Sequence, residues 1–485
     1  MIEILAFSEL IRYNKIISKL GEYAPAYSPQ TDYRTHKNEG EMSMGDKTFR
    51  GGVHPEEMKE LSCEKPLAPY TPVGDLVFLT SQHIGKPAAP VVKKGDRVLA
   101  GQRIAEASGF VSANIVSSVS GTVKAVEMRP TAAGGMGQAI VITSDGENTL
   151  AEGIGVKTDY RKLSNQEILD KVKDAGIVGM GGAGFPTHVK LTVKEPEKIN
   201  YIIANGAECE PYITCDDQLM RSCPQEIVEG LEIILRLFPK AVGIIGIEKN
   251  KPQAIAAMEA ACKGHDRISV LPLKTKYPQG GERSLISVIA GKHLKLGMLP
   301  ADAGCVVDNV ATIRAIYRAV CLNEPLMERT VTVSGDSVKN TGNFFVKIGT
   351  IASELIDACG GWNEGEEPKK ILFGGPMMGV ALSTLDVPIC KNNNAITALS
   401  YDTVEEETTT ACLRCGRCNR VCPLGLSPQL MQVAAQRKNY DRYENRLYGL
   451  ECIACGCCTY ICPAKRPLMQ LFKVTKAEIM AGKKK

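Results

Sequence analysis

The stretches CLRCGRCNRVCP (residues 412–423) and CIACGCCTYICP (452–463) are two copies of C-x2-C-x2-C-x3-C-P. Three thiolates spaced in this way wrap one cubane from a tight loop. The next cysteine, on the turn leading away, is out of that cubane's reach and serves the other one. The spacing therefore predicts two 4Fe–4S clusters with exchanged fourth ligands: Cys412, Cys415, Cys418 and Cys462 for the first, and Cys452, Cys455, Cys458 and Cys422 for the second. Cys457 is left over. Zinc fits less well, because zinc sites pair two C-x2-C knuckles or recruit histidine, and no histidine follows His293.

Outward from these motifs, the cysteines are unevenly shared. Nine of the 18 lie between Cys412 and Cys462, and nine are scattered singly between Cys63 and Cys390. The apolar start, Met1 to Leu20, is interrupted by Glu3, Glu9, Arg12, Lys15 and Lys19. That excludes a clean export signal, so reduced thiols and metal ligation are expected rather than disulfides. The cysteine-rich end is also the basic end: from Asp386 onward 15 Lys and Arg stand against 9 Asp and Glu, in a chain of 485 residues with net charge +4. So slight an overall bias argues against nucleic acid as a partner. No run approaches the roughly 18 apolar residues of a spanning helix, so no spanning helix is expected. Between the motifs, Leu430, Val433 and Ala434 have helical spacing, with Arg437, Lys438, Arg442 and Arg446 on other faces, which predicts a helical spacer over 427–450.

Two neighbouring clusters carry single electrons and make no bonds, so another part of the chain must exchange those electrons. From about Asp159 to Cys321 strand and helix patterns alternate. Short buried-strand runs at 200–204, 241–247 and 268–273 are interleaved with helical stretches at 217–237, 251–262, 282–290 and 309–320, predicting an α/β domain with a largely parallel sheet. Four loops in this region are rich in glycine or in polar residues: GIVGMGGAGFPT (176–187) followed by Lys190, NGAECEP (205–211), YPQGGER (277–283) and DNVAT (308–312). Bare glycine backbone allows close approach to a phosphate or a ring. The second loop ends a strand, where ligands gather in open sheets. No well-defined strand leads into the first loop, a departure from the dinucleotide fingerprint, and Cys209 and Cys215 read as structural thiols.

In order and spacing these four loops resemble those of the flavin- and NADH-binding subunit of respiratory complex I. The resemblance implies non-covalent FMN lined by Gly179, Gly181, Gly182, Lys190, Asn205, Glu208, Tyr277, Gly280, Glu282, Asn309 and Thr312, with NAD(H) as substrate meeting Phe185 and Glu210. That family has Arg where Met180 stands and an acid where Ala207 stands. Hydride transfer needs no side-chain acid or base, so no catalytic residue is expected.

Upstream, VVKKGDRVLAGQRIAE (91–106) and VSSVSGTVKAVE (116–127) resemble the halves of a lipoyl-type barrel-sandwich domain, but 107–116 lacks the lysine that carries a prosthetic group. Downstream, residues 329–362 read strand, turn, strand, helix and resemble the soluble-ligand-binding β-grasp module of complex I relatives. The expected organisation is multidomain α/β plus β. It comprises an N-terminal extension (1–43), a barrel-sandwich domain (44–150), a Rossmann-like α/β flavin/NADH domain (151–325), a β-grasp module (326–385), a helical two-cluster ferredoxin-type domain (386–475) and a basic tail (476–485).

This order, with Gly51 to Pro55 and the run GGPMMG (374–379), resembles the C subunits of Rnf electron-transport complexes over about residues 44–475. The resemblance implies a peripheral subunit, with indirect membrane contact, on the cytoplasmic face of an ion-translocating ferredoxin:NAD oxidoreductase. Its partners would be the other subunits, among them an iron–sulfur subunit that receives electrons from ferredoxin. Two other readings are a soluble NADH-dependent reductase of cobalamin or another acceptor, in which the barrel-sandwich would follow the cluster domain, and a flavin-free iron–sulfur relay.

Overall fold

Leu76–Leu79, Met136–Ser144, Gly121–Pro130 and Arg97–Val98 form, in that spatial order, an antiparallel sheet in the computed structural model, which describes residues 47–295, 297–365 and 367–483. The expected extension 1–43 and Lys484 and Lys485 of the tail lie outside the described residues. A smaller sheet of Ala89–Pro90, Arg103–Glu106 and Ile115–Val116 closes on the first. Leu76, Phe78, Ile104, Ile115, Val123, Ile140 and Ile142 are buried between them. Their burial removes apolar surface worth roughly 2 kcal/mol per side chain from water.

The second module is a four-stranded parallel sheet in the order Ile268–Leu273, Val242–Glu248, Tyr201–Gly206, Cys305–Asn309. Tyr201 is in register with both Val242 and Cys305, so the strands run together and Gly206, Glu248 and Asn309 finish at one edge. Two helices on one face, Pro224–Leu237 and Val310–Cys321, pack Ile227, Leu231 and Ile234 with Ile313 and Ile316. A side chain at Gly230 would lie 2.2 Å from the Ile313 carbonyl, so glycine is what allows the two backbones to meet. The helix Glu282–Ala290 buries Leu285 and Ile286 on the other face with Ile203 and Val307. Two sequence expectations differ here. The helical stretch 217–237 is two helices, Cys215–Ser222 and Pro224–Leu237, because Pro224 cannot continue the first and instead starts the second. The strand Cys305–Asn309 is an addition, hidden in the sequence by its brevity against the helix that follows.

The third sheet is mixed and six-stranded: Leu67–Tyr70, Gly342–Lys347, Glu328–Ser334, Ala395–Leu399, Lys370–Phe373, Val380–Ala381. The helix Ala352–Ala358 packs Leu355 and Ile356 on Val331, Val333, Val346 and Ile396. Its outer strand comes from upstream of the barrel-sandwich sheets, paired in parallel with Gly342–Lys347, and Ala395–Leu399 lies past residue 385. The sheet is thus assembled from three separated stretches of chain, which no local pattern signals.

The cluster module repeats itself at backbone level. Arg414 and Ala454, Gly416 and Gly456, and Gly425 and Lys465 occupy matching motif positions, and all six have positive φ. Left-handed residues curl each loop back on itself before the short helices Arg417–Val421 and Cys457–Tyr460 and turn the chain again after them. The spacer is not one helix. Pro428–Gln436 ends near Lys438 (φ +51), a π-helical turn follows at Arg442–Arg446, and a 3-10 turn at Gly449–Glu451. Its buried face is Met431, Ala434 and Ala435, whereas Leu430 and Val433 are 41% and 40% exposed. The final helix Leu468–Gly482 adds Leu468, Phe472 and Ile479 to this core and runs through the position at which a tail was expected to begin.

Candidate functional site

The edge of the parallel sheet where Gly206, Glu248 and Asn309 finish gathers all four loops. The glycine-rich loop is a hairpin closed by a Val178–Pro186 bridge and by Gly179 N–H donating to Phe185 O at 2.8 Å. Thr312 Oγ1 accepts from Met180 N (2.9 Å), which ties the hairpin to the helix start at Val310. A Cβ at Gly181 would be 2.9 Å from Asn309 Cβ, and one at Gly182 would meet nothing within 4 Å. Glycine at 181 is therefore required by contact with the protein, while Gly182 presents bare backbone to the open side. Half-buried Phe185 stands at the end of the same hairpin.

Asn205 holds two loops together: its Nδ2 donates to Gly280 O (2.9 Å) and its Oδ1 accepts from Ala207 N (3.2 Å). Asn309 caps the helix Val310–Cys321 through Ala311 N (2.9 Å) and donates to Asp216 Oδ2 (2.6 Å). Lys190 Nζ donates to Val307 O (2.7 Å) and Asp308 Oδ1 (3.1 Å). Burial pulls its ammonium down, but Asp308 and Glu282 outweigh that and leave it raised, hence charged at neutral pH.

Glu208 is placed differently from a ligand contact. Its carboxylate accepts from Asp216 N (2.6 Å) and Asp217 N (3.3 Å), capping the helix Cys215–Ser222. Burial pushes it up to about 8, against the pull of Lys59. Glu210 accepts from Met377 N (3.1 Å) and from the Tyr277 hydroxyl (3.4 Å), and burial pushes it up to about 7. Of the loop residues the sequence singles out, Gly182 and Glu282 are exposed and Phe185, Lys190 and Glu210 partly exposed, whereas Thr312, Asn309, Asn205 and Glu208 tie the converging loops together.

Several residues of the site had no local signal in the sequence. Lys59, on a strap that precedes the barrel-sandwich, donates to the carbonyls of Glu208 (2.9 Å), Glu210 (3.0 Å) and Ile213 (2.5 Å). Arg329 is fully buried and donates to Met180 O (3.1 Å) and Asn393 O (3.0 Å), so a guanidinium from the third sheet reaches the loop at which the complex I family carries its own arginine. Lys251 donates to Ala207 O (2.8 Å). The barrel-sandwich brackets the glycine loop, since Ile84 N donates to Gly184 O (3.2 Å) and buried Lys391 Nζ spans Asn114 O (2.5 Å) and Gly176 O (2.6 Å).

Among the described residues, Asp216 Oδ1, Asp308 Oδ2 and Arg329 Nη1 are buried without a hydrogen-bond partner. A polar ligand relieves that condition. The two carboxylate oxygens suit hydroxyl or N–H donors of a ligand, while the bare glycine backbone and the charged Lys190 suit an anionic end, a combination that fits a flavin nucleotide.

The cysteines fall into two sets, each around its own cavity. One cavity is lined by Cys412, Cys415, Cys418 and Cys462, the other by Cys422, Cys452, Cys455 and Cys458 with Cys457 beside them. The four motif thiols at each cavity, with no histidine among the lining residues, suit a cubane. The two sets differ in depth: Cys412 and Cys415 are exposed, Cys455 and Cys458 buried. The buried set abuts the loops that carry Tyr277 and Cys209. Cys457 Sγ lies 3.9 Å from Tyr277 O, and Val53, Tyr277, Met377, Cys455 and Cys457 form one apolar cluster, with Cys209 against it. Gly52 N donates to Val421 O (2.8 Å), and Arg283 pairs with Glu451 at 2.5 Å.

Comparison with known proteins agrees with this architecture. A family model described as the RnfC barrel sandwich hybrid domain matches residues 47–147, the Nuo51 FMN-binding domain 172–318, the SLBB domain 330–381 and a 4Fe-4S dicluster domain 405–463. The chain is 45% identical to the C subunit of the proton-translocating ferredoxin:NAD(+) oxidoreductase complex of Clostridium ljungdahlii, over 90% of this chain and 95% of that one. It is 42% identical to the C subunit of the Na(+)-translocating ferredoxin:NAD(+) oxidoreductase complex of Acetobacterium woodii, over 92% and 100%. Among solved structures, an NAD+-reducing [NiFe]-hydrogenase in the H2-reduced state aligns with TM-score 0.45 and 20% identity, over 67% of this chain and 62% of that one. Among the described residues no helix is long and apolar enough to cross a membrane.

Proposed function

The chain belongs to the family of C subunits of ion-translocating ferredoxin:NAD(+) oxidoreductase complexes, and from that premise we propose that it is the peripheral subunit in which single electrons and hydride are interconverted. It is an oxidoreductase component that works with FMN, two 4Fe–4S clusters and NAD, in contact with the other subunits of the complex, at the cytoplasmic face of the membrane. FMN, when bound, would supply hydride exchange with nicotinamide, and the two clusters would supply one-electron transfer.

The chain's own residues bind and orient. Gly179, Gly181, Gly182, Lys190, Asn205, Glu208, Tyr277, Gly280, Glu282, Asn309 and Thr312 form the flavin-binding set, partly by contact and partly by holding the loops in place. Phe185 and Glu210 border the nicotinamide side. Cys412, Cys415, Cys418 and Cys462 hold the outer cluster, and Cys422, Cys452, Cys455 and Cys458 the inner one. The domains that do this read as a Rossmann-like flavin unit, a β-grasp module and a helical two-cluster unit.

One observation carries the reading: the buried cysteine set shares an apolar contact, through Cys455, Cys457 and Tyr277, with the loop that bears Glu210. A cluster there adjoins the flavin cleft. The FMN-binding match across 172–318 leaves the flavin-free relay without support, and the relatives give none to a soluble cobalamin reductase. The test is anaerobic purification with assay of iron and FMN, followed by addition of NADH. Visible absorbance of the flavin should bleach; FMN-reconstituted protein that shows no bleaching contradicts the reading.

A further inference from the structure

The two cysteine sets lie at different depths, and the outer one opens on solvent in a distinctive way. Cys412 and Cys415 are exposed, and Leu413 between them is 66% exposed. Gly416 turns the chain with φ +70, and the short helix that follows carries Arg417 and Arg420 beside Arg414 of the loop. All three arginines are exposed, and among the described residues none has an ion-pair partner. Four acids of the same module pair elsewhere, Glu407 with Lys465 (2.6 Å), Glu406 with Lys369 (2.6 Å), Glu451 with Arg283 (2.5 Å) and Glu444 with Lys483. The outer site therefore combines accessible cysteines, an exposed leucine at its middle and a rim of arginines without ion-pair partners among the described residues.

We propose that the surface formed by Leu413, Arg414, Arg417 and Arg420 around Cys412 and Cys415 docks an acidic iron–sulfur protein surface, and that electrons enter or leave this protein there. This rests on the electron-transfer reading above. An apolar centre with an arginine rim is the composition of protein interfaces rather than of solvated surface. Unpaired guanidinium groups steer an acidic partner into place and raise the association rate by about 10 to 1,000-fold at low salt. In each productive encounter one electron crosses: the partner's reduced centre is oxidised by one, the outer site is reduced by one, and no proton moves. Solvated arginines that only offset the cluster's own charge would act on its potential and not on encounter.

The experiment uses full-length holoprotein with Arg414→Gln, Arg417→Gln and Arg420→Gln combined, and the matching triple Arg→Lys variant. The probe is an acidic bacterial ferredoxin with two 4Fe–4S clusters, reduced beforehand and mixed by stopped flow across a range of salt. The Gln variant is expected to lose about tenfold or more of the second-order rate at low salt and most of its salt dependence, and the Lys variant to keep both. Cluster EPR spectra, and flavin bleaching by NADH, should stay as in the unmodified protein, and the lowering of the outer cluster's potential that follows from losing three nearby charges should be too small to account for the rate loss. Bleaching reports the electron-transfer reading independently, so its loss would indict that reading and not the docking surface. Unchanged rates and salt dependence in the Gln variant overturn the proposal, as does a rate loss matched by a shift in cluster potential. Loss of sedimentation with anionic phosphatidylglycerol vesicles, at an unchanged ferredoxin rate, overturns it in favour of a membrane-facing surface.

Discussion

Lys59 puts one ammonium against three carbonyls of the segment that carries Glu208 and Glu210. Lys59→Met leaves those buried acceptors unpaired, and the expected cost is about 2–4 kcal/mol in a urea titration, with weaker FMN retention. His83 makes a second residue-level case. Its ring is held down to about 4, first by burial and then by Lys391, while Ala113 N donates to its Nε2 at 3.0 Å. A group whose folded value lies below its ordinary 6.5 contributes stability that is whole above 6.5 and is lost as pH falls toward 4. Between about pH 7 and pH 4 the unmodified protein should therefore lose up to about 3 kcal/mol more than His83→Gln; equal losses would contradict the assignment. Gly375 is a third. A Cβ there would lie 2.4 Å from Glu210 Oε2, so Gly375→Ala should displace that carboxylate and raise the KM for NADH several-fold while iron content is unchanged. None of these residues was legible as part of the site. Lys59 lies some 150 positions from the carbonyls it meets, and its meaning arises only when the strap crosses the loop.

At the scale of elements, the cysteine loops were readable because their ligand spacing is set by the size of one small rigid group and needs no distant partner. The parallel sheet was readable for a related reason, as short buried runs separated by amphipathic helices leave few other solutions. What failed was governed by contacts across the chain. The spacer's buried face turned out to be Met431, Ala434 and Ala435 because the last helix, with Phe472, packs on that side, and the third sheet borrowed Leu67–Tyr70 from far upstream. The exchanged ligand pairing makes a prediction at this scale. Cys462→Ser and Cys412→Ser should each remove about four of eight irons and leave the same residual EPR signal. Cys422→Ser and Cys452→Ser should leave the other. Grouping by motif, with Cys462→Ser matching Cys452→Ser, would contradict the pairing.

Across the whole molecule, the modules are arranged in depth around one cleft. The barrel-sandwich, with no lysine at its hairpin to modify, braces both ends of the glycine loop through Ile84 and Asn114. The third sheet supplies Arg329, and the strap supplies Lys59. The cluster module docks by its buried cysteine set and turns its exposed set outward, so the electron path we propose runs from the surface through the outer cluster and the inner cluster to the flavin site. That order is the central claim, and reoxidation by NAD+ tests it most directly. Holoprotein reduced with dithionite, freed of excess reductant and mixed with NAD+ should form NADH while both cluster EPR signals decay. In Cys422→Ser, which removes only the inner cluster, the outer signal should persist although the flavin still reacts. Decay of the outer signal at the unmodified rate in Cys422→Ser, or no NADH from the fully loaded protein, would contradict the account.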